Sequence, residues 1–276
     1  MKSLVSKEIA TIEELKKVQL EIIEFFHNYC KENNLKYYLW GGTLLGAIRH
    51  DGYIPWDDDI DVAMPRKDYE LLSRTFQHEK YEFFTCENNK KYPFAYGKMC
   101  DQTTLKKENV YTKLSLGIDI DIFPIDDVGD YDEIEKMTEK RLRTIRKWSI
   151  GSSVYAGNKK SFKQKLKAVT KSIIATTGRT FGVLNPNRVA RKLNKMGTDP
   201  KGDNKDLILF ADTNLKRNFY MKKEWCDEVE LHKFEHLELN IMKGWHDVLV
   251  VSFGDYMKLP PEEQRVAHHS FTAFYK

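Results

Sequence analysis

The sequence is poor in the features that mark secreted, membrane-spanning or nucleic-acid-wrapping chains. Four cysteines in 276 residues, Cys30, Cys86, Cys100 and Cys226, stand far apart with no Cys-x-x-Cys pair. Neither a zinc framework nor a disulfide scaffold is expected, and free thiols follow. No run approaches the roughly 20 apolar residues that a spanning helix needs. The opening Met-Lys-Ser-Leu-Val-Ser-Lys-Glu has no apolar h-region, so no secretory signal is expected. A net charge of +4 is too small to argue for nucleic acid. No repeat or low-complexity linker is present. What the chain does have is core-forming material: 41% hydrophobic and 12% aromatic residues, enough for one large domain or a core with an appendage.

The most concentrated pattern is acidic. Asp57, Asp58, Asp59 and Asp61 fall within five positions, and such a cluster repels itself unless a cation or a proton holds it together. Upstream, Thr11 and Glu14 form a capping box ahead of a stripe of Leu15, Val18, Ile22, Phe25 and Tyr29, which predicts a helix that Asn33-Asn34 ends. Leu35–Trp40 then reads as a strand, Gly41-Gly42 as a turn, and Thr43–His50 as a short helix. After the breakers Gly52 and Pro55, the alternation of 59–63 predicts a strand with Asp59 and Asp61 on one face and Ile60 and Val62 on the other.

Further along, a helix is expected over Lys67–Gln77 and strands over Tyr81–Cys86 and Phe94–Cys100. Ile118, Ile120 and Ile122 alternate with Asp119 and Asp121, a strand that buries its isoleucines and that Pro124 is expected to end. From about 131 to 197 the chain turns helical and basic. There Phe162, Leu166, Val169 and Ile173 form a stripe flanked by Lys163, Lys165, Lys167 and Lys171. Lysines in that pattern suit a solvated helix face and also a helix lying on a membrane surface. Short strands over 207–242, a helix over 244–253 and a polar tail over 255–276 complete the reading.

Two acidic strands side by side would bring together Asp59, Asp61 and Asp121, or Asp119. Three carboxylates suit one or two Mg²⁺ or Mn²⁺ ions, which take hard oxygen ligands and leave positions for phosphate oxygens. Two ions about 4 Å apart would clamp an in-line phosphoryl displacement. Gly41 and Gly42 would let backbone N–H groups approach a phosphate, with the following helix N-terminus favouring the anion. Arg49 and Lys98 are candidates for neutralising phosphate charge. Trp40, Trp56, Phe123 and Tyr256 are core candidates, and one of them near the cleft would hold a quaternary ammonium. His268 and His269 are not read as ligands.

The order strand, Gly-Gly-Thr, helix, Asp-x-Asp strand, acidic third strand resembles the nucleotidyltransferase fold. Residues 41–50, Gly-Gly-Thr-Leu-Leu-Gly-Ala-Ile-Arg-His, with 54–62, Ile-Pro-Trp-Asp-Asp-Asp-Ile-Asp-Val, resemble the signature of the LicD family, phosphorylcholine transferases related to fukutin and fukutin-related protein. Residues 121–126 match that family's second block, and 253–261 with His268-His269 resemble its C-terminal block. The resemblance implies an α+β fold, a nucleotidyltransferase-like mixed β-sheet core flanked by helices, with a basic helical insertion. The expected division is a catalytic core over 1–130, a basic helical region over 131–200 and a C-terminal part over 201–276 that completes the core. The basic region over 131–200 is read from its residues alone, and the resemblance covers roughly 35–128 strongly and 232–270 more loosely.

It implies metal-dependent transfer of phosphocholine, or a related substituted phosphate, from CDP-choline or another CDP-linked donor. The acceptor would be a sugar hydroxyl of a teichoic acid, lipopolysaccharide or capsule precursor. Asp59, Asp61 and Asp121 carry over as metal ligands and catalytic residues; Gly41, Gly42, Thr43, Arg49 and Lys98 are the donor-binding residues expected beside them. Alternatives are a nucleotidyltransferase releasing pyrophosphate and a CDP-ribitol or CDP-glycerol phosphotransferase. The expected location is cytoplasmic, with peripheral contact at the inner face of the cell membrane through 136–179 and no nucleic-acid partner.

Overall fold

The computed structural model describes residues 7–107, 110–128, 131–153, 162–198, 207–210, 220–266 and 272–276. Strand β1 (Glu8–Ile9) leads into helix α1 (Ile12–Glu32). Thr11 caps that helix, its hydroxyl accepting from the Glu14 N–H at 3.2 Å, while the Glu14 carboxylate reaches back to the Ala10 N–H at 3.0 Å. The buried face is rotated from the expected stripe. Leu15, Val18 and Ile22 are buried, but Gln19, Ile23, Phe26 and Cys30 join them, whereas Phe25 and Tyr29 lie at the edge of the core. Strand β2 (Tyr38–Leu39), helix α2 (Gly41–His50), strand β3 (Asp61–Pro65) and helix α3 (Arg66–Thr75) follow.

Next come β4 (Tyr81–Phe84), β5 (Gly97–Asp101), β6 (Thr104–Lys106) and β7 (Asp119–Val128). The helices α4 (Tyr131–Gly151), α5 (Phe162–Thr180) and α6 (Pro186–Thr198) form the basic region. Strands β8 (Leu207–Phe210) and β9 (Tyr220–Lys222), the hairpin β10 (Val229–Phe234) and β11 (Leu237–Met242), helix α7 (Trp245–Phe253) and strand β12 (Ala273–Tyr275) complete an α+β fold. Among the described residues no helix is long and apolar enough to cross a membrane.

The main sheet runs β2-β3-β7-β5-β4, with β8 added to β7 and β9 to β8. Its centre is β7, which pairs parallel with β3 and antiparallel with β5. Ile118, Ile120 and Ile122 are fully buried, as the alternation requires. Pro124 does not end this strand. The Asp121 N–H donates to the Ile60 carbonyl on the β3 side, so the position of the missing Pro124 N–H falls on the opposite edge. On that edge β5 pairing stops at Ile122 and β8 pairing starts at Ile125. The proline sits in the gap between two neighbours and costs no ladder bond.

The 255–276 stretch is not simply a polar tail: β12 lies between β1 and β6 in a three-stranded antiparallel sheet. The β10–β11 hairpin packs against β2 and α2, and its turn residue Glu235 (φ +57°) holds the loop before the acidic cluster. The Glu235 N–H donates to the Asp51 carbonyl at 2.7 Å, and its carboxylate accepts from the Tyr53 N–H at 3.0 Å. In the basic region α4 packs against α5 and α6, and Ile145, Val189 and Leu193 form a small second core with Ala95. The four thiols are free, and burial pushes that of Cys86 up to about 12, which keeps it unreactive.

Candidate active site

The acidic loop meets the N-terminus of α2. Both backbone groups of Asp61 are fixed there: its carbonyl accepts from the Trp40 N–H at 2.9 Å, and its N–H donates to the Thr43 hydroxyl at 2.8 Å. Thr43 is buried, so this is a positioning contact made inside the protein. Gly41 has φ +55°, and a Cβ there would stand 3.2 Å from an Asp61 carboxylate oxygen. A Cβ on Gly42 would stand 2.7 Å from an Asp57 carboxylate oxygen. The glycine pair therefore makes room for the protein's own carboxylates at the positive end of a helix.

Strand β3 begins at Asp61, so Asp59 comes from the preceding loop and not from the same strand face. There it joins Asp57 and Asp58, with one carboxylate oxygen from each lying within 4.8 Å of the others. Burial, with Asp59 and Asp58 close by, pushes the Asp57 carboxyl up to about 7. Asp58 is buried. All donors in this group are hard oxygens, the set that suits Mg²⁺ or Mn²⁺ and gives a soft metal nothing to bind.

The neighbouring strands supply the rest. Asp61 on β3 is in register with Asp121 on β7, and Asp121 with Lys98 on β5. This row crosses three strands, and residues in register share a sheet face. The Lys98 ammonium bonds both Asp119 and, at 2.5 Å, Asp121, and the Lys106 ammonium reaches Asp119 at 2.7 Å. Burial alone would push the Asp119 carboxyl up. Lys106 and Lys98 overcome it and hold that carboxyl well below the usual carboxylate range. Burial pushes Asp121 the other way, up to about 7 against the pull of Lys98, and Asp119 adds to the rise.

The structure thus forms two adjoining groups: Asp57, Asp58 and Asp59 beside Gly42, and Asp61, Asp121 and Lys98 in one row beside Gly41 and Thr43. Among the described residues, the group of three carboxylates found within 4.8 Å of one another is Asp57, Asp58 and Asp59 rather than the expected Asp59, Asp61 and Asp121. Arg49 stands apart. It lies at the far end of α2, roughly 12 Å along the axis from Gly41 at 1.5 Å per residue, and donates to the Tyr256 carbonyl at 2.8 Å and to His50 at 3.0 Å. Of the aromatic candidates, Trp40 and Phe123 are buried, while Trp56 and Tyr256 stay half-buried, with the Arg265 guanidinium 5.9 Å from the centre of the Trp56 ring. His268 and His269 lie outside the described residues.

Two contributors were not foreseen. Gln19, fully buried on α1, donates its amide to the Asp58 carbonyl at 3.1 Å and to the Asp119 carbonyl at 3.4 Å, and accepts from the Tyr53 hydroxyl at 3.2 Å. Its signal in the sequence was a polar residue between the apolar positions of α1. Lys106 had none, because its place beside Asp119 depends on β6 folding back toward β7.

Residues 34–152 match the LicD/FKTN/FKRP nucleotidyltransferase domain family. The chain is 30% identical over 271 residues to the lipopolysaccharide cholinephosphotransferase LicD of Haemophilus influenzae, covering 96% of this chain and 98% of that one. An uncharacterised protein of Rickettsia prowazekii is 30% identical over 99 residues, 35% of this chain and 37% of that one. Mannosyltransferase regulator 4 of Saccharomyces cerevisiae is 38% identical over 55 residues, 20% of this chain and 5% of the yeast protein. With the family domain on the segment that carries the acidic loop, and a relative aligned from end to end, the chain belongs to the LicD family.

Proposed function

We propose that this LicD-family transferase moves phosphocholine from CDP-choline to a sugar hydroxyl of a cell-surface glycan, with lipopolysaccharide as the first acceptor class and teichoic acid or capsule units as alternatives to it. The observation that carries this reading is the meeting of the Asp57–Asp59 loop with the Asp61–Asp121 strand pair at the N-terminus of α2. The Haemophilus relative, named for cholinephosphotransfer to lipopolysaccharide, supports the choice of transferred group.

Asp59, Asp61 and Asp121 would hold Mg²⁺ or Mn²⁺, with Asp57 and Asp58 beside them. Such an ion, when bound, neutralises charge on the donor diphosphate. The rest falls to the chain. The α2 N-terminus favours the anionic donor, although Gly41 and Gly42 first serve Asp61 and Asp57. Lys98 fixes the Asp121 carboxylate. Asp121 takes the proton of the acceptor hydroxyl as the sugar oxygen bonds to the phosphocholine phosphorus and the bond from that phosphorus to CMP breaks. The basic helices of 136–179 rest against the inner face of the membrane, beside a lipid-linked acceptor.

Incubation with CDP-choline, CTP and Mg²⁺ tests the reaction. CMP release from CDP-choline is expected. Pyrophosphate release from CTP, or preferential turnover of CDP-ribitol or CDP-glycerol, would replace the choline assignment. Asp59→Asn with Asp61→Asn should lower turnover by about a thousandfold or more at unchanged Tm, and full activity in that double variant would sink the mechanism.

A further inference from the structure

Away from the carboxylates, a cavity of about 600 Å³ opens where α5 and α6 face the β4–β5 connection. Lys90, Lys91, Lys113, Arg179, Arg188 and Arg191 line it, and among the described residues no carboxylate does. From Lys140 to Thr198 the sequence holds sixteen lysines and arginines and not one aspartate or glutamate. The α6 N-terminus, capped by the Asn185 side chain accepting from the Arg188 N–H at 3.2 Å, also contributes lining residues. Its dipole adds to the positive field.

The cavity is built as well as charged. Arg179 lies 4.1 Å from the Tyr111 ring centre and donates to the Gly151 and Ser153 carbonyls at 2.9 and 3.2 Å. Arg191 and Asn187 both donate to the Lys90 carbonyl at 3.2 Å.

Its rim is apolar. Thr176 and Thr180 of α5 line the cavity, and directly after them Phe181 is 78% exposed and Val183 62% exposed. Along α5, Leu166, Val169, Ile173 and Ile174 are exposed as well. Six large apolar side chains in 18 residues of a segment without a single acid complement an anionic bilayer: cations meet headgroups, and apolar tips enter the acyl boundary.

We infer that this cavity is a headgroup site for anionic phospholipid, taking the lipid phosphate between Lys91, Lys113 and Arg188 while Phe181 and Val183 enter the bilayer. The inference rests on the membrane contact proposed above and gives it a specific pocket. It is independent of the reaction at the carboxylates.

Sedimentation of the full chain with vesicles of phosphatidylglycerol and phosphatidylcholine, against vesicles of phosphatidylcholine alone, tests it. Wild type should pellet with the first and not the second, and salt should weaken the binding. Lys91→Glu, Lys113→Glu and Arg188→Glu avoid the two arginines that tie the cavity walls. Together they should lower vesicle affinity about tenfold or more, with Tm and CMP release from CDP-choline unchanged. Phe181→Ser with Ile173→Ser should weaken vesicle binding and leave titration with inorganic phosphate unaltered.

Wild-type affinity in the triple variant would overturn the headgroup site and leave the membrane contact standing. No vesicle binding by wild type would overturn both. Inorganic phosphate binding lost in the triple variant, without vesicle binding by wild type, would make the cavity a free-phosphate site and overturn the lipid assignment. None of these results changes the CMP-release test of the reaction.

Discussion

Two regions of the molecule concentrate charge of one sign, and they handle it in opposite ways. Around β3 and β7 the carboxylates are drawn inward, against a glycine pair, two lysines and a helix N-terminus. In α4–α6 the cations are spread over helix faces and a cavity wall, without an acid among residues 140–198. Buried like charge is costly and is tolerated where each group is held by specific partners. Exposed like charge is cheap and needs no partners within the chain. The acidic region should therefore be fragile to single changes and the basic region robust to several.

Lys98→Met should break the contrast most sharply. It leaves Asp119 and Asp121 without their shared cation and should cost about 3–5 kcal/mol by urea denaturation; adding Asp119→Asn should recover part of the loss. Gly42→Ala comes next. A Cβ 2.7 Å from the Asp57 oxygen must displace that carboxylate, and turnover should fall about a hundredfold with the fold kept, since misplacement by an ångström has that scale. Gln19→Leu removes the buried amide between the acidic loop and β7 and should cost about 1–3 kcal/mol, with a further loss of turnover beyond the loss of folded protein.

A pH series sharpens the comparison further. Asp57 has a raised folded-state carboxyl, so its contribution to stability is greatest while it is protonated. It declines as pH rises from about 4, the ordinary aspartate value, to about 7. Metal-free protein should lose Tm across that window, Asp57→Asn should flatten the slope, and Mg²⁺ should restore Tm at the upper end. In the basic region, Lys140→Gln with Lys147→Gln should shift stability by no more than about 0.5 kcal/mol.

How much of this could be read from the chain depended on whether the information was local. The β7 alternation of isoleucine and aspartate and the Thr11 cap are local patterns, and each lies where the residues indicate, whereas Gly41 and Gly42, expected as a turn, open helix α2 itself. Alternation places Asp59 in the strand because it does not reveal where pairing starts. Strand β3 begins only where β2 and β7 can bond to it, at Asp61. Pro124 looks like a stop in the sequence because a proline's effect depends on which neighbour its missing N–H faces. The partners of Lys98 and Gln19 are set by register and by helix rotation, and neither is written within a few residues of the side chain concerned.

The Gln19 amide has one more implication. A single side chain grips the loop carrying Asp58 and the strand carrying Asp119, so the separation of those two acidic segments is gauged by helix α1. A small roll or slide of α1 would change the fit of both segments together. The residues that seat α1 from outside, the Thr11 cap and the Lys80–Glu21 ion pair at 3.0 Å, thereby become remote adjusters of the spacing between the two acidic segments.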